Sequence, residues 1–256
     1  MDTPEPGTEA TPAAQDAAKG KAAVTGTSKT LLKSIGANGV LLGVFALACT
    51  ALIAATFLGT KDNIDEQQRK ARLRALYEVV PVTRHDNDLL ADNMALFDEA
   101  LGHRKEQRLF LASRENRPVA LIYPATARDG YSGDIRYIVG INLADSSVAG
   151  VRVLQHRETP GLGDGIELRK SRWITSFDGK RLGKPPIARW TVKKNGGDFD
   201  AFTGATITPR ALVKSVAGVL QYHEQYGAQL AATLLQQKRD QVSKQADTES
   251  SQPAGK

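Results

Sequence analysis

An α+β domain behind a single N-terminal membrane-spanning helix is the fold class this sequence predicts, and three observations predict it. A long apolar run, Gly39 to Leu58, lies in a charge-free stretch between Lys33 and Lys61. Short β-type segments cluster in the middle of the chain, bounded by Gly, Asp, Ser and Pro. The longest helical pattern, Pro209 to about Lys238, follows all of them rather than alternating with them. That order suits one domain of antiparallel strands with flanking helices, and does not suit repeated βαβ units.

Taken in order, residues 1–33 are rich in Ala, Thr, Pro, Glu and Gly and have little to bury, so they read as a disordered cytoplasmic tail. Residues 34–60 hold the span. Roughly 20 apolar residues cross a bilayer as a helix, whereas a buried soluble helix normally keeps a polar face. The run is long and lies well inside the chain, unlike a cleaved signal peptide. Cys49 follows Ala46-Leu47-Ala48 as in a lipoprotein site, but apolar sequence continues beyond it, so lipidation is not expected. Residues 61–238 form a stalk helix and the folded domain. Ile64, Ala71, Ala75, Leu76 and Val79 make a helical stripe that stops before Pro81. It either extends the membrane helix as a stalk or docks on the domain. Strands are expected at Val119–Tyr123, Ile135–Ile141 and Val148–Leu154, followed by the terminal helix. Residues 239–256 read as a disordered tail, and no internal repeat is visible.

Composition narrows the function. With 256 residues and 41% hydrophobic content, the chain can bury one sizeable core. A single Cys excludes an intrachain disulfide and a Cys-based metal site. The net charge of +6 is scattered, aromatics are only 6%, and no nucleic-acid motif appears. The charge therefore reads as solvated surface plus basic membrane flanks, with no nucleic-acid partner. Lys19, Lys21, Lys29 and Lys33 precede the span, and Lys61, Arg69, Lys70, Arg72 and Arg74 follow it, so charge does not decide orientation. His85, His103, His156 and His223 are widely spaced without a His-Glu-x-x-His pattern, so no metal is expected. No Gly-x-Ser-x-Gly elbow supports a hydrolase.

Two segments carry chemistry. Thr203-Gly204-Ala205-Thr206-Ile207-Thr208-Pro209 leads into the terminal helix. Thr208 followed by Pro209 reads as an N-cap with Pro at the first helical position. Gly204 and Ala205 leave no bulk beside Thr206, so a large group can approach it. A helix N-terminus favours phosphate through its free N–H groups and dipole, and Arg210 and Lys214 are positioned to add charge. A capped turn without a ligand satisfies the same local pattern. The other segment is His156-Arg157-Glu158-Thr159-Pro160-Gly161-Leu162-Gly163-Asp164-Gly165. No Lys-Ser/Thr follows it, so it is not a Walker loop, and no helix with a ribose-binding acid follows, against a Rossmann reading. It is either an exposed turn or a backbone shelf for a flat ring. Trp173 and Trp190 read as core anchors, and the Arg169-Lys170 and Arg172 cluster reads as solvated surface.

Asp198 through Thr208 resembles the Ser/Thr-Gly-Ala-Thr motif of covalent FMN-binding domains. The resemblance implies FMN joined through its phosphate to Thr206, with Thr203, Gly204, Ala205 and Thr208 completing the site. A separate flavin transferase makes that bond in the family, so the chain needs no base of its own for it. Glu158-Thr159-Pro160-Gly161-Leu162-Gly163 is similar to a hallmark of the same domain, which implies that Glu158, Thr159, Gly161 and Leu162 line the isoalloxazine. Gly130-Tyr131-Ser132-Gly133 is a third match; Tyr131 either packs near the cofactor or is a core or turn aromatic. Further matches at Thr60-Lys61-Asp62 with Ile64, and at His85 to Leu90, extend the likeness along most of the chain. Together they resemble the G subunits of Rnf-type complexes, which couple ferredoxin and NAD redox chemistry to ion translocation. The long N-terminal tail departs from the compact start of that family. The resemblance implies an electron-relaying flavoprotein subunit rather than a stand-alone enzyme. It would sit in the bacterial inner membrane with its flavin domain periplasmic, among other membrane and iron–sulfur subunits. The alternatives are a component like the C subunit of the sodium-pumping NADH:quinone oxidoreductase, or a non-redox, membrane-anchored assembly protein.

Overall fold

The computed structural model describes residues 16–250 and divides the chain into two compact units, Met1–Gln67 and Gln68–Lys256. Of the expected tails, residues 1–15 and 251–256 lie outside the described residues. Helix α1 covers Asp16–Val79, so the N-terminal segment is helical from residue 16 onward.

In the first unit, Gly39–Lys61 is 23 residues of helix apolar enough to cross a membrane. At 1.5 Å rise per residue it spans about 34 Å, against a hydrocarbon core of about 30 Å. Leu41, Leu47 and Ile53 stand exposed along it, as lipid-facing side chains must. Three threonines interrupt the apolar run, and each returns its hydroxyl to the backbone. Thr50 donates to the Ala46 carbonyl, Thr56 to Leu52 and Thr60 to Thr56, at 2.7–2.8 Å. The hydroxyls thus need no water, which the interior of a bilayer does not supply.

The second unit is built on a meander of five antiparallel strands in the order β1-β2-β3-β4-β5. These are β1 (Asn93–Leu96), β2 (Gln107–Arg114), β3 (Arg117–Ala127), β4 (Ile135–Asn142) and β5 (Val148–Gln155). The three strands the sequence predicts are β3, β4 and β5; β3 extends beyond its expected range at both ends, and β4 and β5 each run one residue further. The first two were not legible. β1 has only four residues, and β2 is buried on both faces through its centre, so neither shows clear period-two alternation.

One face of the sheet carries Leu109, Leu111, Leu121, Tyr123, Tyr137, Val139 and Val151. Helix α2 (Ile207–Ser250) covers it with Leu212, Val216, Val219 and Leu220. Polar tips inside this core find partners: Tyr123 Oη meets His223 Nδ1 at 2.9 Å, and Tyr137 Oη meets Ser215 Oγ at 2.8 Å. Burial drives both phenol pKa values well above the ordinary tyrosine range.

The opposite face carries Phe110, Ala112, Ala120, Ile122 and Ile138 and receives Leu76, Val79, Val80 and Leu89. The stripe before Pro81 therefore docks on the sheet at its C-terminal end. Gly140 and Gly150, paired across β4 and β5, make the slot for Val79. A Cβ on Gly140 would lie 2.4 Å from Val79 Cγ1, and one on Gly150 would lie 3.1 Å from the Val79 carbonyl oxygen.

α2 starts one residue before the predicted N-cap and continues past Lys238. The continuation draws on strong helix formers such as Gln241, Lys244, Gln245 and Ala246. Between β5 and α2 the chain is irregular, with short 3-10 turns at Gly163–Ile166, Arg172–Phe177, Ile187–Arg189 and Lys193–Asn195. An aromatic cluster organises it. Phe177 and Phe199 approach to 4.8 Å between ring centroids, Trp190 lies 5.3 Å from Phe199, and Trp173 bridges Phe177 to Phe202. Trp190 is buried, as its reading as a core anchor requires.

Candidate functional site

Three glycine-containing segments meet at one buried carboxylate. Glu158 Oε1 accepts the Ser132 backbone N–H at 3.0 Å, and Oε2 accepts the Thr208 hydroxyl at 2.6 Å. Segments 130–133, 158–163 and 203–209 are thereby tied into one structure. Glycine makes the approach possible: a Cβ on Gly163 would sit 2.9 Å from Glu158 Oε2 and 3.0 Å from Thr208 Oγ1. Behind the loop, His156 Nδ1 accepts the Glu158 N–H at 3.0 Å, and its Nε2 lies 2.7 Å from Glu167 Oε1. An accepting Nδ1 assigns the proton to Nε2, which donates it to Glu167. Arg169, hydrogen-bonded to Glu167, holds that carboxyl below its ordinary range, with His156 adding to the effect.

The loop itself is a tight turn with exposed outer residues. Leu162 and Gly163 both donate to the Thr159 carbonyl, and Gly161 donates to Asp164 Oδ1 at 2.8 Å. Gly161 and Leu162 face outward, Leu162 being 46% exposed, and Thr159 is exposed as well, while Glu158 before it and Gly163 and Asp164 after it are buried. Asp164 was not singled out from the sequence; its place directly after the glycine run was the available clue.

Thr206 lies directly before the first residue of α2, and its carbonyl accepts the Arg210 N–H at 3.3 Å. It thus takes the place before the helix that the Thr-Pro pattern assigns to Thr208. Thr208 lies inside the first turn with its hydroxyl drawn inward to Glu158 instead of capping the helix. Pro209 also falls inside the first turn, where an N–H has no intrahelical partner to lose. Of the remaining motif residues, Thr203 and Gly204 are exposed and Ala205 and Thr206 half-buried. Gly204 adopts a left-handed φ of 78°, and a Cβ there would touch Leu162 Cδ2 at 3.4 Å.

These placements test the fit of a flavin phosphate on this chain. A half-buried hydroxyl stands where the first amides of a long helix lack helical partners, which suits an anion. Beside it the exposed Leu162 lies against Gly204, and Ile207 (39% exposed) follows Thr206 directly. Tyr131, 70% exposed, is not a core aromatic. Exposed apolar side chains next to a phosphate-compatible helix start suit a ring system joined to a phosphate. Lys214 contributes less than expected, since it pairs with Asp129 at 2.9 Å, while Arg210 remains exposed. Phe202, also missed from sequence, braces Thr203 from below by lying on Trp173 and on Gly165, where a Cβ would come within 3.0 Å of its ring. Among the described residues, no group of three or more His, Cys, Asp or Glu could hold a metal ion.

Two family models match the chain: the RnfG N-terminal region over residues 28–79 and the FMN-binding domain over residues 130–221. The second spans all three segments that Glu158 joins. A Shewanella amazonensis protein, named as the G subunit of an ion-translocating oxidoreductase complex, is 52% identical over 189 residues, covering 73% of this chain and 87% of its own. Its namesake in Shewanella baltica is 48% identical over 194 residues, covering 75% and 91%. Among solved structures, Shewanella oneidensis NqrC aligns with a TM-score of 0.41 at 20% identity, covering 59% of this chain and 73% of that one.

Proposed function

This chain belongs to the family of G subunits of ion-translocating oxidoreductase complexes, and we propose that it carries FMN as a phosphoester on Thr206 and relays electrons within such a complex. The observation that carries the proposal is the position of Thr206: a half-buried hydroxyl at the start of α2, inside the FMN-binding domain and beside an exposed apolar shelf. The membrane span and the family together make it a membrane-anchored subunit. Placement of the flavin domain in the periplasm of a bacterial inner membrane, and maturation by a separate flavin transferase, belong to the same proposal. Family membership favours it over a C-subunit-like component of a sodium pump and over a non-redox assembly protein.

When bound, FMN supplies one- and two-electron redox chemistry at its ring system. The chain supplies position. Thr206 would anchor the phosphate, and the backbone amides of Ile207 and Thr208 would face it with the positive end of the helix dipole. Thr203, Gly204 and Ala205 shape the approach to that hydroxyl. Gly161 and Leu162 would offer a surface to the ring, with Thr159 holding the turn beneath them through its carbonyl. Glu158 acts from behind, since both of its oxygens are committed to Thr208 and Ser132. Thr206 is an anchor and not a group that turns over substrate. A tether to a membrane subunit keeps electron exchange with neighbouring carriers effectively intramolecular.

The test is flavin fluorescence on a denaturing gel after co-expression with a flavin transferase. The parent chain is expected to fluoresce and Thr206→Val to lose the signal completely. A dark parent beside a control acceptor labelled by the same transferase would overturn the covalent assignment.

A further inference from the structure

The sheet face opposite α2 is closed at only one end. Leu76 and Val79 fill it over Ile122, Ile138 and the glycine pair. One turn earlier α1 presents Ala71 and Ala75, side chains too short to fill the space, and a groove of about 1340 Å³ opens between this stretch and the strands. Arg72, Arg74, Lys105, Arg108 and Arg136 line it, and none of the five has a carboxylate partner among the described residues. Arg108 and Arg136 reach only the amide oxygens of Asn93 and Gln155. Of the three carboxylates lining the groove, Glu78 pairs with Arg152, and Glu167 with Arg169 and His156. Glu106 is thus the one lining carboxylate without a cation partner among the described residues, against five such cations.

Like charges gathered on one sheet face repel each other and destabilise the isolated domain. Such an arrangement is stabilised by an oppositely charged surface, which it also attracts and orients. We propose that this groove seats an acidic segment of another polypeptide in the complex, with Leu154, 50% exposed in its lining, as the apolar contact. The proposal rests on the reading that the chain works inside a multisubunit complex. The lining of the groove includes His156 and Glu167, the pair that backs the Glu158 loop. An occupant of the groove therefore touches the support of the candidate flavin site.

The experiment uses the full chain in membranes that retain the complex. A photoreactive p-benzoylphenylalanine is placed at Leu154 in one sample and at Gln107 in another, and the crosslinked peptides are identified by mass spectrometry. The expected adduct is with a second subunit, on a peptide rich in Asp and Glu. Combining Arg72→Glu, Arg108→Glu and Arg136→Glu should lower its yield at least ten-fold, and Lys at the same three positions should preserve it. Flavin fluorescence of the gel band reports that each variant is folded and loaded, and peptide composition decides the matter even where charge reversal impairs folding. An adduct on a neutral or basic peptide, an adduct on phospholipid, or none from either position would overturn the proposal. If flavin and partner subunits are both present when that happens, the groove proposal falls and the complex reading stands. A chain that carries no flavin and co-purifies with no other subunit overturns the complex reading and this proposal with it.

Discussion

The two faces of the sheet are packed by opposite means. Toward α2 the strands present bulk, with Tyr123, Tyr137 and Leu111 filling the space, and the same core runs into the aromatic cluster of Phe177, Trp190 and Phe199. Toward the end of α1 the strands present Ala112, Ala120 and the Gly140–Gly150 pair, so that Val79 approaches the backbone itself. The first face is sensitive to what is removed and the second to what is added. The difference follows function. The bulky side supports the irregular segment that carries Thr206, where position must be held by packing. The glycine side locks the end of α1 onto the sheet and leaves the rest of that face free as a basic groove.

Removal on the bulky side should give the largest effect. Phe199 is fully buried and contacts Phe177 and Trp190. Phe199→Ala should cost about 3–5 kcal/mol, from lost burial and an unfilled cavity. Thermal and denaturant unfolding of the full chain in detergent would measure it. A loss below about 1 kcal/mol would mean the cluster collapses around the gap, and the contrast between faces would weaken. Addition on the other side comes next. Exchange of a strand glycine for alanine ordinarily gains about 0.5–1 kcal/mol. Here Gly140→Ala should instead lose about 1–3 kcal/mol, because its methyl meets Val79. Val79→Ala in the same chain should recover part of that loss, giving a coupling a double-mutant cycle can read. Additive effects would show that Val79 is not the obstacle.

How much of this was legible depended on whether local pattern or tertiary contact set the outcome. The span, the last three strands and α2 follow from composition and period, and the structure contains all of them. The three motif segments were recognisable as residues, yet nothing local reveals that they converge on Glu158. That side chain was expected to line the ring, and the sequence gives no hint that Thr208, fifty residues away, takes one of its oxygens. The same contact explains the shifted helix start: a Thr-Pro pair reads as an N-cap until the hydroxyl is drawn elsewhere. β2 escaped notice because burial on both faces erases alternation. The basic groove was equally hidden, since its arginines come from α1, β2 and β4 and look like scattered surface charge along the chain.

The smallest effect expected is one of pH, and it sharpens the contrast from inside the bulky core. His223 is a polar residue on the buried face of α2, and Gly227 one turn on leaves room for its ring, a Cβ there falling 2.5 Å from Nδ1. Tyr123, whose phenol burial keeps protonated, donates to Nδ1, so the imidazole is neutral with its proton on Nε2. Burial lowers the His223 pKa below its ordinary 6.5. In the unfolded chain the ring takes up a proton as pH falls through about 6.5, while the folded chain still refuses it. The unfolded state then binds more protons, so the His223 contribution is fully present above that pH and is lost as pH falls toward the folded pKa. The unfolding midpoint should therefore drop between pH 7.5 and 5.5 by more in the parent than in His223→Gln, whose amide oxygen can still accept from Tyr123. Glu167, held below the ordinary carboxyl range, titrates under this window and leaves the comparison clean. Equal slopes in parent and variant would mean that the buried ring takes up its proton as readily as a free one, and that the α2 face is less closed than its packing shows.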